Sequence, residues 1–292
     1  MLAKTIQSGV TAVLLGMSSL SAAAGEQTNS PIEHAQLVGT MTLDGELFHV
    51  QGLVLDGPHI WVTSVDRVGK RGYLHEVDRA TGRFLRRLEL TDGERFHPGG
   101  MSMSGRSLWV PVAELRPDSS AVLVEIDADT LQVRRRIPVA DHLGCVAASG
   151  NILVAGNWDS RLLYVFDLGG NAPVRTVPNP SQTRFQDMKF VGNALVAGGP
   201  LNWWSGSVDW LDWPSMRTIR SLHAGAYGPD GAVARMGAYT AEGLAIEGRD
   251  LYLLPEDGPS RVFHFHLDDT VAGRSPVRAA MSTAVRSKRQ SI

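Results

Sequence analysis

The apolar positions of the chain fall in short runs separated by polar or glycine-containing turns, the pattern of a chain built from strands. One unit recurs five times. It consists of a small or polar pair, an apolar residue, three further residues, a glycine, and then an apolar run that ends near a carboxylate or amide. The copies are Gln51-Gly-Leu-Val-Leu-Asp-Gly57, Gly99-Gly-Met-Ser-Met-Ser-Gly105, Gly144-Cys-Val-Ala-Ala-Ser-Gly150, Gln186-Asp-Met-Lys-Phe-Val-Gly192 and Glu242-Gly-Leu-Ala-Ile-Glu-Gly248. Their closing glycines are 48, 45, 42 and 56 residues apart, which is the spacing of four-stranded propeller blades.

Within each copy the glycine marks a hairpin turn that needs φ > 0, joining an innermost strand to a second one. A third strand ending in Asp follows, at Asp78, Asp127, Asp167, Asp212 and Asp268. A polar turn then leads to a fourth strand, as in Phe84 to Leu90 and Val133 to Val139. The fifth copy runs out after its third strand, but the segment Leu37 to Leu43 alternates as the fourth strands do. Placing residues 36–43 in the last blade closes the ring and removes two exposed sheet edges. The sequence therefore predicts an all-β, five-bladed β-propeller closed by its N-terminal strand. The long interval between Gly192 and Gly248 is assigned to a loop, Leu222 to Ala238, lying over one mouth of the channel.

Composition refines this picture at the ends of the chain. Residues 1–24 carry Lys4, an apolar run from Val10 to Leu20 and Ala22-Ala23-Ala24, which is the build of a secretory signal peptide. The expectation is a periplasmic or secreted protein without membrane insertion, a propeller over residues 25–270, and a basic, disordered tail over 271–292. With 28 basic and 30 acidic residues the net charge is −2, which supplies no field for nucleic acid. A small-molecule ligand and a monomeric state are the expectation for partners. The one cysteine, Cys145, lies in an apolar strand pattern and is expected in the core.

The innermost strands of a propeller line its axis, so their leading residues meet at one end. Two positions before each small pair stand His49, His97, His142, Arg184 and Thr240, and the next position on the same face holds Gln51, Gly99, Gly144, Gln186 and Glu242. Imidazoles with a carboxylate suit a divalent metal ion, so His49, His97, His142 and Glu242 are candidate ligands. The same positions equally suit strand-capping hydrogen bonds. Glu242, His97, His142 and Glu114 are the candidate catalytic groups, and Gln51, Gln186, Asp187, Trp158, Trp203 and Glu256 the candidate substrate contacts. Asp66, Glu114, Asn157 with Asp159, and Glu256 with Asp257 form a second, acidic ring at the ends of the second strands. The Asn202-Trp203-Trp204-Ser205 loop is placed to stack on a sugar ring or organic ligand.

At His49-Val-Gln51-Gly-Leu the chain resembles glutaminyl-peptide cyclotransferases, although His97-Pro-Gly-Gly-Met and Phe185-Gln-Asp-Met-Lys stand where that family has other motifs. Over nearly the whole mature chain it resembles an uncharacterised family of exported bacterial propellers. His97-Pro-Gly-Gly, Pro111-Val-Ala-Glu114, Asp141-His142-Leu-Gly, Asn157-Trp-Asp-Ser160, Gln186-Asp187 and Pro255-Glu-Asp-Gly258 carry that resemblance. The scheme is also similar to strictosidine-synthase-like and gluconolactonase-like propellers, which implies a metal on the axis. Three functions follow as expectations: a small-molecule enzyme of hydrolase or lyase type, a non-catalytic ligand-binding or scaffold propeller, and a cyclotransferase-like acyltransferase.

Overall fold

The computed structural model describes residues 30–228, 236–255 and 258–269. The expected signal peptide, the basic tail and Glu256 with Asp257 lie outside the described residues.

The strands form five antiparallel sheets around one axis. Blade 1 is built from His49–Asp56, His59–Asp66, Arg71–Asp78 and Phe84–Glu89, running from the axis outward. Blade 3 (Leu143–Ser149, Ile152–Asn157, Leu162–Asp167, Pro173–Pro178) and blade 4 (Asp187–Val191, Ala194–Asn202, Ser205–Asp212, Arg217–Ala224) repeat that order. Blade 2 differs in that its inner strand is split into Arg95–Pro98 and Ser102–Ser104. Both pieces pair with Ser107–Glu114, which is followed by Ala121–Asp127 and Val133–Val139. Blade 5 contains Gly243–Glu247, Asp250–Leu254 and Arg261–Leu267, and its outermost strand is Ala35–Thr42, in register from Ala35 opposite Leu267 to Thr42 opposite Arg261. The ring is therefore closed by the N-terminal strand, as its alternation predicted.

The repeat glycines do what their positions demand. Gly57, Gly105, Gly150, Gly192 and Gly248 all have φ between +54° and +63°, a region that side chains with a Cβ rarely adopt. The Asp residues that end the third strands accept hydrogen bonds from the turns they begin: Thr81 N–H to Asp78, Thr130 N–H to Asp127 and Gly169 N–H to Asp167. Middle strands are buried on both faces because a blade packs on each side, whereas the outer strand Phe84–Glu89 is mostly exposed. Five hydrophobic clusters follow, one per blade interface. In one of these, Trp61 and Leu74 of blade 1 meet Leu108 and Val110 of blade 2; in another, Val154 and Leu163 of blade 3 meet Met188 and Leu195 of blade 4. Cys145 belongs to this last cluster, and burial, with Asp187 nearby, pushes its thiol up to about 12.

One expectation is corrected between blades 4 and 5. Leu222 to Ala224 is not loop but the end of the outer strand of blade 4, with Leu222 opposite Val208 and Ala224 opposite Gly206. The chain then makes a two-stranded ribbon, Ala226–Tyr227 with Gly237–Ala238.

The small pairs of the repeat are explained at the axis, where five inner strands converge in a ring with little room. A Cβ on Gly100 would lie 2.1 Å from the Gln186 carbonyl oxygen, and one on Gly99 would lie 1.9 Å from that of Gly144. Blade 2 leaves its own sheet at this level: Gly100 N–H donates to Gly144 and Val146 N–H donates back to Gly100, both at 2.9 Å. Asp187, wholly buried, fills the centre. One carboxylate oxygen accepts from Leu53 N–H of blade 1 and Leu244 N–H of blade 5, each at 3.0 Å. The other accepts from its neighbour Met188 N–H at 2.9 Å and from Lys189 Nζ at 2.5 Å, and Lys189 reaches the Met101 carbonyl of blade 2 at 2.6 Å. A single ion pair thus ties blades 1, 2, 4 and 5 together.

Candidate functional site

Above this plug, at the end of the axis where the inner strands begin, the leading residues gather as their register predicted. His49 Nε2 lies 3.8 Å from Glu242 Oε1, with both side chains about nine-tenths buried. Next to them His97 and His142 have ring centroids 5.9 Å apart, and the edge of His142 meets Trp158 at 4.6 Å. The order round the rim is therefore Glu242, His49, His97, His142, Trp158. Bulges open the inner strands here, at Gln51 in blade 1 and Gly144 in blade 3.

Burial sets the charge of these imidazoles. His97 is pushed down to about 3, by desolvation first and then by the neighbouring His142, His49 and Arg67. His142 is lowered too, again by burial, against the opposing pull of the Glu114 and Arg116 carbonyls and the Asp141 carboxylate. Its Nδ1 lies 3.2 Å from the Arg116 carbonyl, which makes that nitrogen the N–H donor. Both rings are neutral at pH 7. They act as hydrogen-bonding groups, and neither is a fixed cation.

A cleft of about 670 Å³ opens beside this row, between blades 3, 4 and 5. Its walls include Arg184, Gln186 and Glu242 from the strand entries, Asp159, Trp203 from the blade 4 hairpin, and Tyr227 with Gly237 and Ala238 from the ribbon. The turn Trp158–Ser160 that delivers Asp159 is firmly mounted. Ser160 Oγ accepts from Phe185 N–H at 2.7 Å and from Asn179 Nδ2 at 3.2 Å, while Asn157 Nδ2 and Tyr164 OH both donate to Asp141. The mounting holds Asp159 and Ser160 at φ of 56° and 49°, a left-handed conformation that costs free energy in non-glycine residues. Across the cleft, Asn202 closes its own hairpin by accepting from Trp204 N–H at 2.8 Å and donating to Ser205 at 2.7 Å, which leaves Trp203 two-thirds exposed.

The structure sorts the remaining candidates. Asp187 does not face a ligand: its carboxylate is spent on backbone amides and Lys189 inside the plug, so the substrate-contact role expected of it is replaced by a structural one. Gln51 is also buried, with its amide turned back to donate to the Val50 carbonyl at 2.9 Å, and it is not among the residues lining the cleft. Glu114 is held by its own loop, where Ser120 Oγ donates at 2.8 Å and Arg116 pairs with it at 2.7 Å. These contacts keep its carboxyl below the usual range, which suits a loop brace better than a proton-transfer group. Glu242, Gln186 and Trp203 do line the cleft, whereas Trp158, packed against His142, is not among the lining residues.

Among the cleft residues that sequence reasoning did not single out as ligand contacts, two are charged, Arg184 and Asp159. Arg184 stood in the predicted ring and Asp159 in the acidic ring, but only the folding of the Trp158–Ser160 turn brings them into one cavity. For a metal, the donor types at His49, His97, His142 and Glu242 are suitable, yet among the described residues no three His, Cys, Asp or Glu side chains converge on one point. Nor is any helix among the described residues long and apolar enough to cross a membrane.

Comparison with known proteins bears on the fold and the family. The chain is similar to the crystal structure of a glutaminyl cyclase from Myxococcus xanthus, with a TM-score of 0.58 and 16% identity over 80% of this chain and 96% of that one. It also matches BamB from Moraxella catarrhalis, with a TM-score of 0.37 and 13% identity over 78% of this chain and 61% of that one. No curated protein matches the chain. Residues 38–205 match the model of the family of unknown function DUF6454, and the chain belongs to that family.

Proposed function

We propose that the protein is an enzyme of hydrolase or lyase type that acts on a small molecule in the cleft, with Glu242 and His49 as its proton-transfer pair. The observation that carries this reading is the juxtaposition of a carboxylate and an imidazole, 3.8 Å apart and largely screened from water, at the edge of a cavity of ligand size. In this reading Glu242 takes a proton from a bound water or from the substrate, and His49 relays it. Gln186 hydrogen-bonds the reacting carbonyl, and the neutral His97 stabilises the row without adding charge. The similar solved structure is a glutaminyl cyclase, so cyclisation of an N-terminal glutaminyl peptide belongs among the reactions to test. No step is routed through a metal: His49, His97, His142 and Glu242 are suitable donor types, but among the described residues no three of them converge on one point.

The test is turnover of a panel of small esters, lactones and amides, with a glutaminyl peptide included, by the wild type and by Glu242→Gln. Each is assayed with and without a chelator. The expected result is a substrate whose turnover falls at least about 100-fold in the variant while the melting temperature is kept. Equal turnover by wild type and variant, or no turnover of any compound, overturns the catalytic reading in favour of a binding propeller. Loss of activity on chelation alone transfers the chemistry to a metal.

A further inference from the structure

The cleft holds two opposite charges that the protein itself does not use. Arg184 lines it from the entry to blade 4 and Asp159 from the strained turn of blade 3. Among the described residues no hydrogen bond or ion pair engages either side chain. Nor do the two engage each other, since they share one cavity without coming within ion-pair distance. Elsewhere several charges of the described residues are held in ion pairs. Arg79 pairs with Glu247, Arg106 bridges Asp56 and Asp129, Arg116 holds Glu114, and Arg134 and Arg135 take Asp127 and Glu125. A guanidinium and a carboxylate that line one cavity without pairing are complementary to a molecule that carries both charges.

We infer that the cleft recognises a small zwitterion, a free amino acid or close derivative, whose carboxylate is taken by Arg184 and whose ammonium is taken by Asp159, with an apolar side group against Trp203 and Tyr227. This deepens the function proposed above by naming its substrate class, and it rests on the same cleft being the site.

Each part has a physical reason. A guanidinium presents a planar fork that matches a carboxylate, and Gln186 beside it offers a further amide donor. Among the described lining residues the carboxylates of Asp159 and Glu242 outnumber Arg184, which disfavours a dianion such as a phosphate monoester. The Asp159 carboxylate, carried by a different blade from Arg184, favours an ammonium. Asp159 is held in its left-handed turn by Ser160, so the ammonium acceptor is placed before the ligand arrives. The exposed indole of Trp203 gives the apolar group an aromatic face, and the buried ring of Tyr227, packed edge-on to Tyr239 at 5.9 Å, backs the wall.

A matched set of probes tests this by titration calorimetry on the full chain. The set is L-phenylalanine, its amide, which lacks the carboxylate, and N-acetyl-L-phenylalanine, which lacks the ammonium. The wild type is expected to bind phenylalanine about tenfold more tightly than either neutralised analogue. Arg184→Gln should erase the advantage over the amide only, and Asp159→Asn the advantage over the acetyl compound only. Asn tolerates the left-handed backbone of position 159, so that variant keeps the turn. Equal binding of all three compounds, no binding of any, or a ranking unchanged in the variants overturns the inference. The zwitterion preference with no turnover of any substrate would leave this inference standing and remove the catalytic one. Glu242-dependent turnover of uncharged substrates with no such preference would do the reverse.

Discussion

Removing the carboxylate of Asp187 strikes the point where four blades meet. In Asp187→Ala the Leu53 and Leu244 amides lose their shared acceptor, and the Lys189 ammonium is left buried beside the Met101 carbonyl alone. Breaking a buried ion pair by deleting one partner costs about 3–5 kcal/mol, and each orphaned buried amide adds about 1–3 kcal/mol. Relaxation of the plug and water entry offset part of this sum, so about 5 kcal/mol is the working figure. For a ring of this size about 2–4 °C of melting temperature corresponds to each kcal/mol, which predicts a fall of about 10–20 °C. The double variant Asp187→Ala with Lys189→Met no longer buries an unpaired ammonium. It should recover part of the loss and melt above the value expected from adding the two single effects. Thermal unfolding followed by circular dichroism reads both quantities. A shift below about 3 °C for Asp187→Ala, or strict additivity in the double variant, would refute the plug as a shared anchor.

Two further outcomes follow from the fold. Deleting residues 35–42 leaves Arg261–Leu267 without its outer partner, and cooperative melting should be lost; an unchanged transition means that the ring does not depend on this closure. His75, wholly buried and bonded to Ser64, is lowered to about 4 by burial and by Arg87, whereas in the unfolded chain it titrates near 6.5. The unfolded chain therefore binds the extra proton between about pH 6.5 and 4, so stability is lost as pH falls through that window, by about 2 kcal/mol from this residue at pH 5. Melting temperatures taken from pH 7 to pH 4.5 should fall more steeply in the wild type than in His75→Gln, and parallel profiles would contradict the assignment.

Much of the ring was legible in the sequence because its signals are local. A glycine at φ > 0 closes each inner hairpin and an Asp caps the third-strand turns of blades 1, 2 and 3, and both requirements are met within a few residues of chain. The histidines at the strand entries could also be placed, since a shared register position puts His49, His97 and His142 at one end of any propeller. What the sequence hid was the meaning of the small pairs. Nothing near Gly99-Gly100 in sequence gives a reason for the pair, and only the convergence of five strands shows that it makes room for Gly144 and Gln186. Asp187 was misplaced for the same reason, because its partners Leu53 and Leu244 are 134 and 57 residues away. The cleft pair Arg184 and Asp159 was hidden too, since a strained three-residue turn has no repeat to betray it. Leu222 to Ala224 escaped detection as a strand because its alternation continues directly into the small residues of the ribbon.

The pairing of Ala35–Thr42 with Arg261–Leu267 joins two segments from opposite ends of the described chain. The bond that completes the circle is consequently the one with the longest separation, and its loop-closure entropy must be met before the reward of the last interface arrives. Until Arg261–Leu267 is made, a growing chain exposes the unpaired flank of blade 1 at one end and that of its latest blade at the other. The order of synthesis thus makes closure the final event, and it makes every incomplete chain a species with two uncovered apolar blade faces and an unpaired N-terminal strand for other chains to find.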